Sequence, residues 1–140
     1  DAKLPELREK FGDRACIRAI HYWYENDLVD RRWAALTAGD IDAFLALTRA
    51  SGASSAMYLQ NVTAELGSSQ PAMYALGLAE HILDGRGAVR IHGGGFGGTI
   101  QAFVPLDMVD EFMGRMDSWL GEGSCRRYAI SEEGAYAAWL

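Results

Sequence analysis

Cysteine, long apolar runs and positive charge are all scarce in this chain of 140 residues. Two cysteines, Cys16 and Cys125, are too few for a disulfide framework, and their spacing fits no metal-binding motif. No stretch reaches the roughly 18 apolar residues that a membrane-spanning helix needs. The net charge of −6 argues against a nucleic-acid binder that uses a basic face. We therefore expect a cytoplasmic protein with reduced thiols, no metal site of its own, and neither a membrane nor a nucleic acid as partner.

The composition is that of an ordinary globular domain. Apolar residues make up 49% of the chain and charged residues 23%. The length predicts a single domain over residues 1–140. The chain begins with Asp rather than Met, so we expect a piece of a longer protein. The triplet Asn61-Val62-Thr63 matches a glycosylation acceptor, but the polar start of the chain predicts no signal peptide, so we regard the match as chance.

Apolar residues recur at helical spacing in four stretches. They predict a long helix over 13–38, capped by Asp13, a shorter one from 41 to 51 capped by Asp40, and two more over 72–84 and 106–120. Residues 51–69 are rich in Ser, Gly and Ala and are predicted to form a loop with at most a short helical turn.

The second half of the chain contains runs typical of strands. Residues 88–104 predict an antiparallel hairpin packed under the helices 72–84 and 106–120. The run at 125–131 predicts a third strand, and 134–140 a weaker fourth, because alanines dominate it. Helices followed by this β-β-α-β-like unit predict an α+β fold with an antiparallel sheet.

Five of the 16 glycines fall within six positions of the hairpin, around Phe96. They are Gly93, Gly94, Gly95, Gly97 and Gly98. The spacing satisfies the dinucleotide-binding pattern G-x-G-x-x-G, but that site needs a helix directly after the last glycine, and a strand follows here. A Walker loop or a protein-kinase loop needs a lysine close behind, and residues 105–140 contain none. A tight hairpin with bulges explains two or three glycines but not five.

The segment RIHGGGFGGTIQAFV resembles the third conserved motif of the GHMP kinases, in the form found in galactokinases. Seven positions match: Arg90, Gly93, Gly94, Gly95, Phe96, Gly97 and Gly98. His92 stands where Thr is usual, and Thr99 where Cys is usual. The segment RAIHYWYENDLV is similar to the galactokinase helix motif through Arg18, Ala19, His21, Glu25, Asn26 and Val29. A third match covers Ala35, Leu36, Gly39, Asp40, Phe44, Leu47 and Ser51. Gly52 replaces the usual His, and the chain diverges from the pattern over 52–75.

The resemblance implies the C-terminal domain of a galactokinase, with a ferredoxin-like antiparallel sheet and helices packed on one face. It implies ATP-dependent phosphorylation of galactose at the anomeric hydroxyl, with ATP and Mg in the complete enzyme and none held by this chain alone. The motifs for the catalytic Asp and the ATP loop are absent, so the missing N-terminal domain is the implied partner and the isolated chain is expected to be inactive. We expect the exposed inter-domain face to lie beside the glycine loop, where self-association could cover it.

The glycine loop, Gly93–Gly98, is expected to line the inter-domain cleft next to sugar and phosphate. Phe96 would anchor the turn by packing, and His92 could face the cleft. Two alternatives stay open: a galactokinase-like sensing or regulatory module without turnover, and a GHMP kinase for another small sugar. The remaining candidates have structural explanations. We expect His21 to pair with Glu25, and both Arg31 and Arg32 to be solvated.

Overall fold

The computed structural model describes residues 3–63, 69–96 and 98–130. These contain the helices α1 (Leu4–Phe11), α2 (Asp13–Thr37), α3 (Ile41–Ser54), α4 (Pro71–Leu83) and α5 (Val109–Leu120). A π-helical turn (Ser55–Leu59) continues α3, and a 3-10 turn (Leu106–Met108) leads into α5. Strands β1 (Ala88–Ile91) and β2 (Ile100–Phe103) pair antiparallel, with Ala88 opposite Phe103. The fold class α+β and the hairpin over 88–104 are confirmed.

The four predicted helices are present, and their local signals are partly as expected. Asp40 caps α3, because its Oδ1 accepts the N–H of Ala43 at 2.9 Å. Asp13 does not cap α2: it is the first helical residue, and it pairs with Arg8 of α1, a helix that the sequence did not predict. The segment predicted as loop from residue 51 stays helical to Leu59.

The apolar core lies between α4, α5 and one face of the hairpin. Its buried members are Ala75, Ala79, Ile82, Leu83, Val89, Phe112 and Met116. Side chains alternate between the two faces of a strand, so Val89 and its partner Ala102 point together into this core. The predicted packing of the hairpin against these two helices is confirmed.

The opposite face of the hairpin is also covered. The Phe103 ring meets the ring of Phe44 in α3 edge to face, with centroids 5.2 Å apart, and the Arg90 guanidinium reaches Glu25 of α2. The expectation that helices pack on one face only is therefore wrong. Side chains alternate between the two faces, so Val89 faces α4 and α5 while Arg90 and Phe103 meet α2 and α3.

The predicted third strand over 125–131 is wrong for the described residues 125–130, which form no ladder. The Cys125 N–H donates to Oδ1 of Asp117 in α5 at 2.9 Å, so the chain turns toward the helix. Tyr128 and Ile130 are 81% and 93% exposed, which leaves the segment without the half-buried pattern of a strand. The predicted strand 134–140 lies outside the described residues, and a ferredoxin-like sheet is not confirmed.

None of the helices in the described ranges combines the length and the apolarity needed to cross a membrane.

Gly52 of α3 packs closely against β1. A Cβ at this position would lie 2.9 Å from the carbonyl oxygen of Val89 and 3.2 Å from Cβ of Arg90. We expect Gly52→Ala to force α3 off the hairpin and lower the free energy of unfolding by about 1–3 kcal/mol. Gly77 in α4 is the matched control, since a Cβ there meets open space. Gly77→Ala should raise that free energy by up to about 1 kcal/mol. Urea unfolding of both variants measures the difference, and a shift of the same sign in both would contradict the packing argument.

Candidate functional site

The glycine loop begins where the hairpin ladder ends. The His92 N–H donates to the carbonyl of Thr99 at 2.9 Å, one step beyond the Ile91–Ile100 pair. Within the loop, Gly93, Gly95 and Gly98 have φ angles of 62°, 79° and 78°. Phe96 also lies in the left-handed region, with φ 60°. The turn therefore needs several residues in a left-handed conformation, which glycine adopts without strain. Gly97 lies outside the described residues.

The loop glycines differ in what surrounds them. A Cβ built on Gly93, Gly94 or Gly98 would meet open space, whereas one on Gly95 would collide with Asn61. Positive φ explains Gly93 and Gly98, and close packing explains Gly95. Gly94 has neither reason, because its φ lies outside the left-handed region and nothing approaches it. Among the residues that the structure describes, none requires the absence of a side chain at Gly94.

Asn61 makes two hydrogen bonds to the tip of the loop. Its Nδ2 donates to the carbonyl of Gly94 at 3.1 Å, and its own carbonyl accepts the N–H of Phe96 at 2.8 Å. Asn61 is 1% exposed, so it is unavailable as a glycosylation acceptor in the folded chain. The Phe96 side chain is 50% exposed. The hydrogen bond from its N–H to Asn61 therefore anchors the loop in addition to any packing of the ring.

A polar cluster under β1 connects the loop strand to α2 and α3. One carboxylate oxygen of Glu25 accepts from Arg32 at 3.0 Å and from Arg90 at 3.3 Å. Ser51 of α3 donates to the same carboxylate at 2.6 Å. The side chains of Glu25, Arg32 and Arg90 are only 17–20% exposed. Glu25 belongs to the helix motif and Arg90 to the glycine-loop motif of the galactokinase resemblance. In the fold the two residues form an ion pair.

Two expectations about this region are wrong. His21 does not pair with Glu25; its Nδ1 lies 2.9 Å from the hydroxyl of Ser54, because α3 supplies a nearer partner than the next helical turn. Arg32 is not solvated, since it faces α3 and bonds Glu25, whereas Arg31 is exposed as expected. His92 lies exposed at the entrance to the loop, and whether it faces a cleft stays a prediction.

A separate apolar cavity of about 720 Å³ opens between β2, α5 and residues 124–129. Its walls come mainly from core side chains such as Ile100, Phe112 and Met116. Burial and the neighbouring Asp117 raise the pKa of the Cys125 thiol at its edge, which favours the protonated thiol over the thiolate. The described residues lining this cavity include no Asp, Glu or His. In the described part of the chain, no group of His, Cys, Asp and Glu side chains could hold a metal ion.

Comparison with characterised proteins agrees with the motifs. A galactokinase of Mannheimia succiniciproducens is 31% identical to this chain over 117 residues. This chain is related to the galactokinases. The match covers 79% of the chain but only 29% of the relative, so the chain spans less than a third of that protein's length. No model of a protein family and no solved structure matches the chain.

This similarity agrees with the galactokinase resemblance found in the sequence. The roles of individual residues, including the loop glycines, remain predictions.

Proposed function

We propose that this chain is the C-terminal domain of a galactokinase and that the glycine loop forms one wall of its active-site cleft. In the proposed reaction the anomeric hydroxyl of galactose attacks the γ-phosphorus of ATP. A new P–O bond forms, the bond to the β-phosphate oxygen breaks, and ADP leaves. The hydroxyl proton passes to a base in the N-terminal domain. Such phosphoryl transfer depends mostly on positioning and on stabilising charge.

The observation that carries the proposal is the loop itself. It resembles the galactokinase motif, and it contains at Gly94 a glycine that no contact among the described residues requires. A position kept free of a side chain, in open space, suits close approach of a ligand or a second domain to the main chain. Backbone N–H groups in such a turn are suitable donors for phosphate oxygens.

The chain's own contribution would be binding and orientation. No acidic side chain lies within the loop, and the described residues offer no metal cluster, so we propose that MgATP and the catalytic base are held by the N-terminal domain. When bound, Mg would neutralise charge on the transferring phosphates. The loop would close the cleft from the other side.

We propose that the N-terminal domain also covers the exposed face of α2. Tyr22, Val29, Trp33 and Leu36 are 44–71% exposed and lie on one side of the helix, whereas the sequence led us to expect such a face beside the glycine loop. The proposal rests on these side chains and on the length of the galactokinase relative. If it is right, the isolated chain should self-associate at high concentration. Sedimentation velocity would show this for the natural chain and a weaker effect for Trp33→Ser; monomers throughout would contradict it.

The assay of the full-length protein tests the function. With galactose and MgATP we expect turnover well above that with glucose, and only background from the 140-residue chain alone. The reason for the second result is that the chain lacks the motifs for the catalytic Asp and the ATP loop. Turnover by the isolated chain would contradict the domain assignment. Absence of turnover in the full-length protein, together with measurable binding of galactose, would favour a sensing module instead.

A further inference from the structure

Asn61 sits in an unusual backbone setting beside the loop. It directly follows Gln60, which ends the π-helical turn in the left-handed region at φ 59°. Segments of π-helix are rare and occur frequently at functional sites. From this position Asn61 makes two hydrogen bonds into the tip of a loop more than 30 residues away in sequence, at Gly94 and Phe96. The turn after α3 and the glycine loop are therefore coupled through one buried residue.

The side-chain bond of Asn61 fixes the orientation of one peptide unit. The carbonyl of Gly94 and the N–H of Gly95 belong to the same planar trans peptide, so they point in opposite directions. The carbonyl faces the buried amide of Asn61. It follows that the N–H of Gly95 points away from Asn61, toward the outer side of the loop. Gly95 cannot carry a Cβ at this point, because Asn61 occupies the space.

We infer that Asn61 is a positioning residue that presents the Gly95 N–H as a hydrogen-bond donor to a phosphate oxygen of the substrate. The inference rests on the proposed function of the loop. Gly94, the glycine without a structural reason, is half of the peptide that Asn61 orients, and a side chain there would stand beside the same donor.

The other end of the Asn61 amide supports a role in the loop rather than in the core. Its Oδ1 is buried and has no hydrogen-bond partner among the described residues. A buried polar atom without a partner lowers stability. A residue that served packing alone would be apolar at this position. The amide is explained by its Nδ2, which is the donor that Gly94 requires.

The test compares Asn61→Leu with Ser55→Ala in the full-length protein. Leu has nearly the shape of Asn and removes both Nδ2 and the unpartnered Oδ1, while the main-chain bond to Phe96 can persist. Ser55→Ala removes a hydroxyl of the preceding π-helical turn that is equally buried and has no hydrogen-bond partner among the described residues. We expect kcat with galactose and MgATP to fall at least about tenfold for Asn61→Leu, with KM for galactose within about twofold, because misplacing a transition-state donor lowers kcat. Ser55→Ala should keep the natural kcat.

A purely structural role for Asn61 predicts a different result. The melting temperature of Asn61→Leu would fall, while kcat per folded molecule stayed natural, and that outcome would overturn the inference. Hydrogen–deuterium exchange of the peptide covering residues 92–99 gives a readout that does not need turnover. MgATP should slow its exchange in the natural protein but not in Asn61→Leu. If the natural protein has no kinase activity, the proposed function fails, and this exchange measurement still decides the role of Asn61: equal slowing in both proteins, or none in either, rejects it.

Discussion

Gly95→Ala is expected to damage both the glycine loop and the stability of the chain. Gly95 has φ 79°, a conformation that costs about 1–2 kcal/mol for a residue with a Cβ. The new Cβ would also lie 2.6 Å from Nδ2 and 2.7 Å from Cβ of Asn61, which is buried and has little room to move. Overpacking of this kind costs about 1–3 kcal/mol more. We expect a lower melting temperature and, in the full-length protein, a loss of turnover of about tenfold or more, since one decade of rate corresponds to about 1.4 kcal/mol.

Gly94→Ala is the matched comparison for Gly95→Ala. The two residues are neighbours, but a Cβ on Gly94 meets open space and its φ is not in the left-handed region. We therefore expect its melting temperature to stay within about 1 °C of the natural value, since no contact is lost and about 1 kcal/mol would be needed to shift it by several degrees. A melting temperature that falls as far as in Gly95→Ala would show that the loop is packed differently from this description.

Glu25→Gln should be the most destabilising substitution in the polar cluster. It removes the charge that Arg32 and Arg90 share, while keeping the size of the side chain. Both guanidinium groups would then be left only 17% exposed and without that counter-ion. Breaking a buried pair in this way costs about 3–5 kcal/mol, and we expect the lower end because the groups retain some contact with water. Because Arg90 belongs to β1, the hairpin should loosen from α2 and α3.

Asp27→Asn controls for the loss of an acidic charge from α2. Its pair with Arg31 is more than half exposed on both sides, so we expect a change of only about 0.5 kcal/mol. Urea unfolding of the two variants measures the contrast. A loss in Glu25→Gln no larger than in Asp27→Asn would mean that the cluster does not hold the hairpin in place.

The sequence predicts those parts of the fold that local pattern controls. Apolar periodicity located α2 to α5, and the β-patterned runs beside the glycines located the hairpin. Resemblance to galactokinase motifs located the loop and the residues Glu25 and Arg90, but it did not predict that the last two would meet. That contact depends on how α2 crosses β1, which no local pattern encodes. The same limit explains the error at His21, whose partner on α3 lies 33 positions away.

The contact of Asn61 with the glycine loop could not be predicted from the sequence. It lies in the stretch that departs from the galactokinase pattern, and its only signal in the sequence was a chance glycosylation triplet. Its importance follows from burial and from two bonds to a distant loop. The predicted third strand was wrong because residues 125–130 carry β-forming side chains, but the chain turns toward Asp117 and they pair with no strand in the described part of the chain.

We propose that the glycine loop contacts the transferring phosphate in a galactokinase. Turnover of the Gly94→Ala variant of the full-length protein, at saturating galactose and MgATP, tests it most directly. We predict a decrease of about tenfold or more relative to the natural protein at an unchanged melting temperature, because the methyl group blocks approach to the Gly95 N–H without disturbing the fold. An unchanged turnover number in the folded variant would contradict this contact and would mean that the loop is only a structural turn.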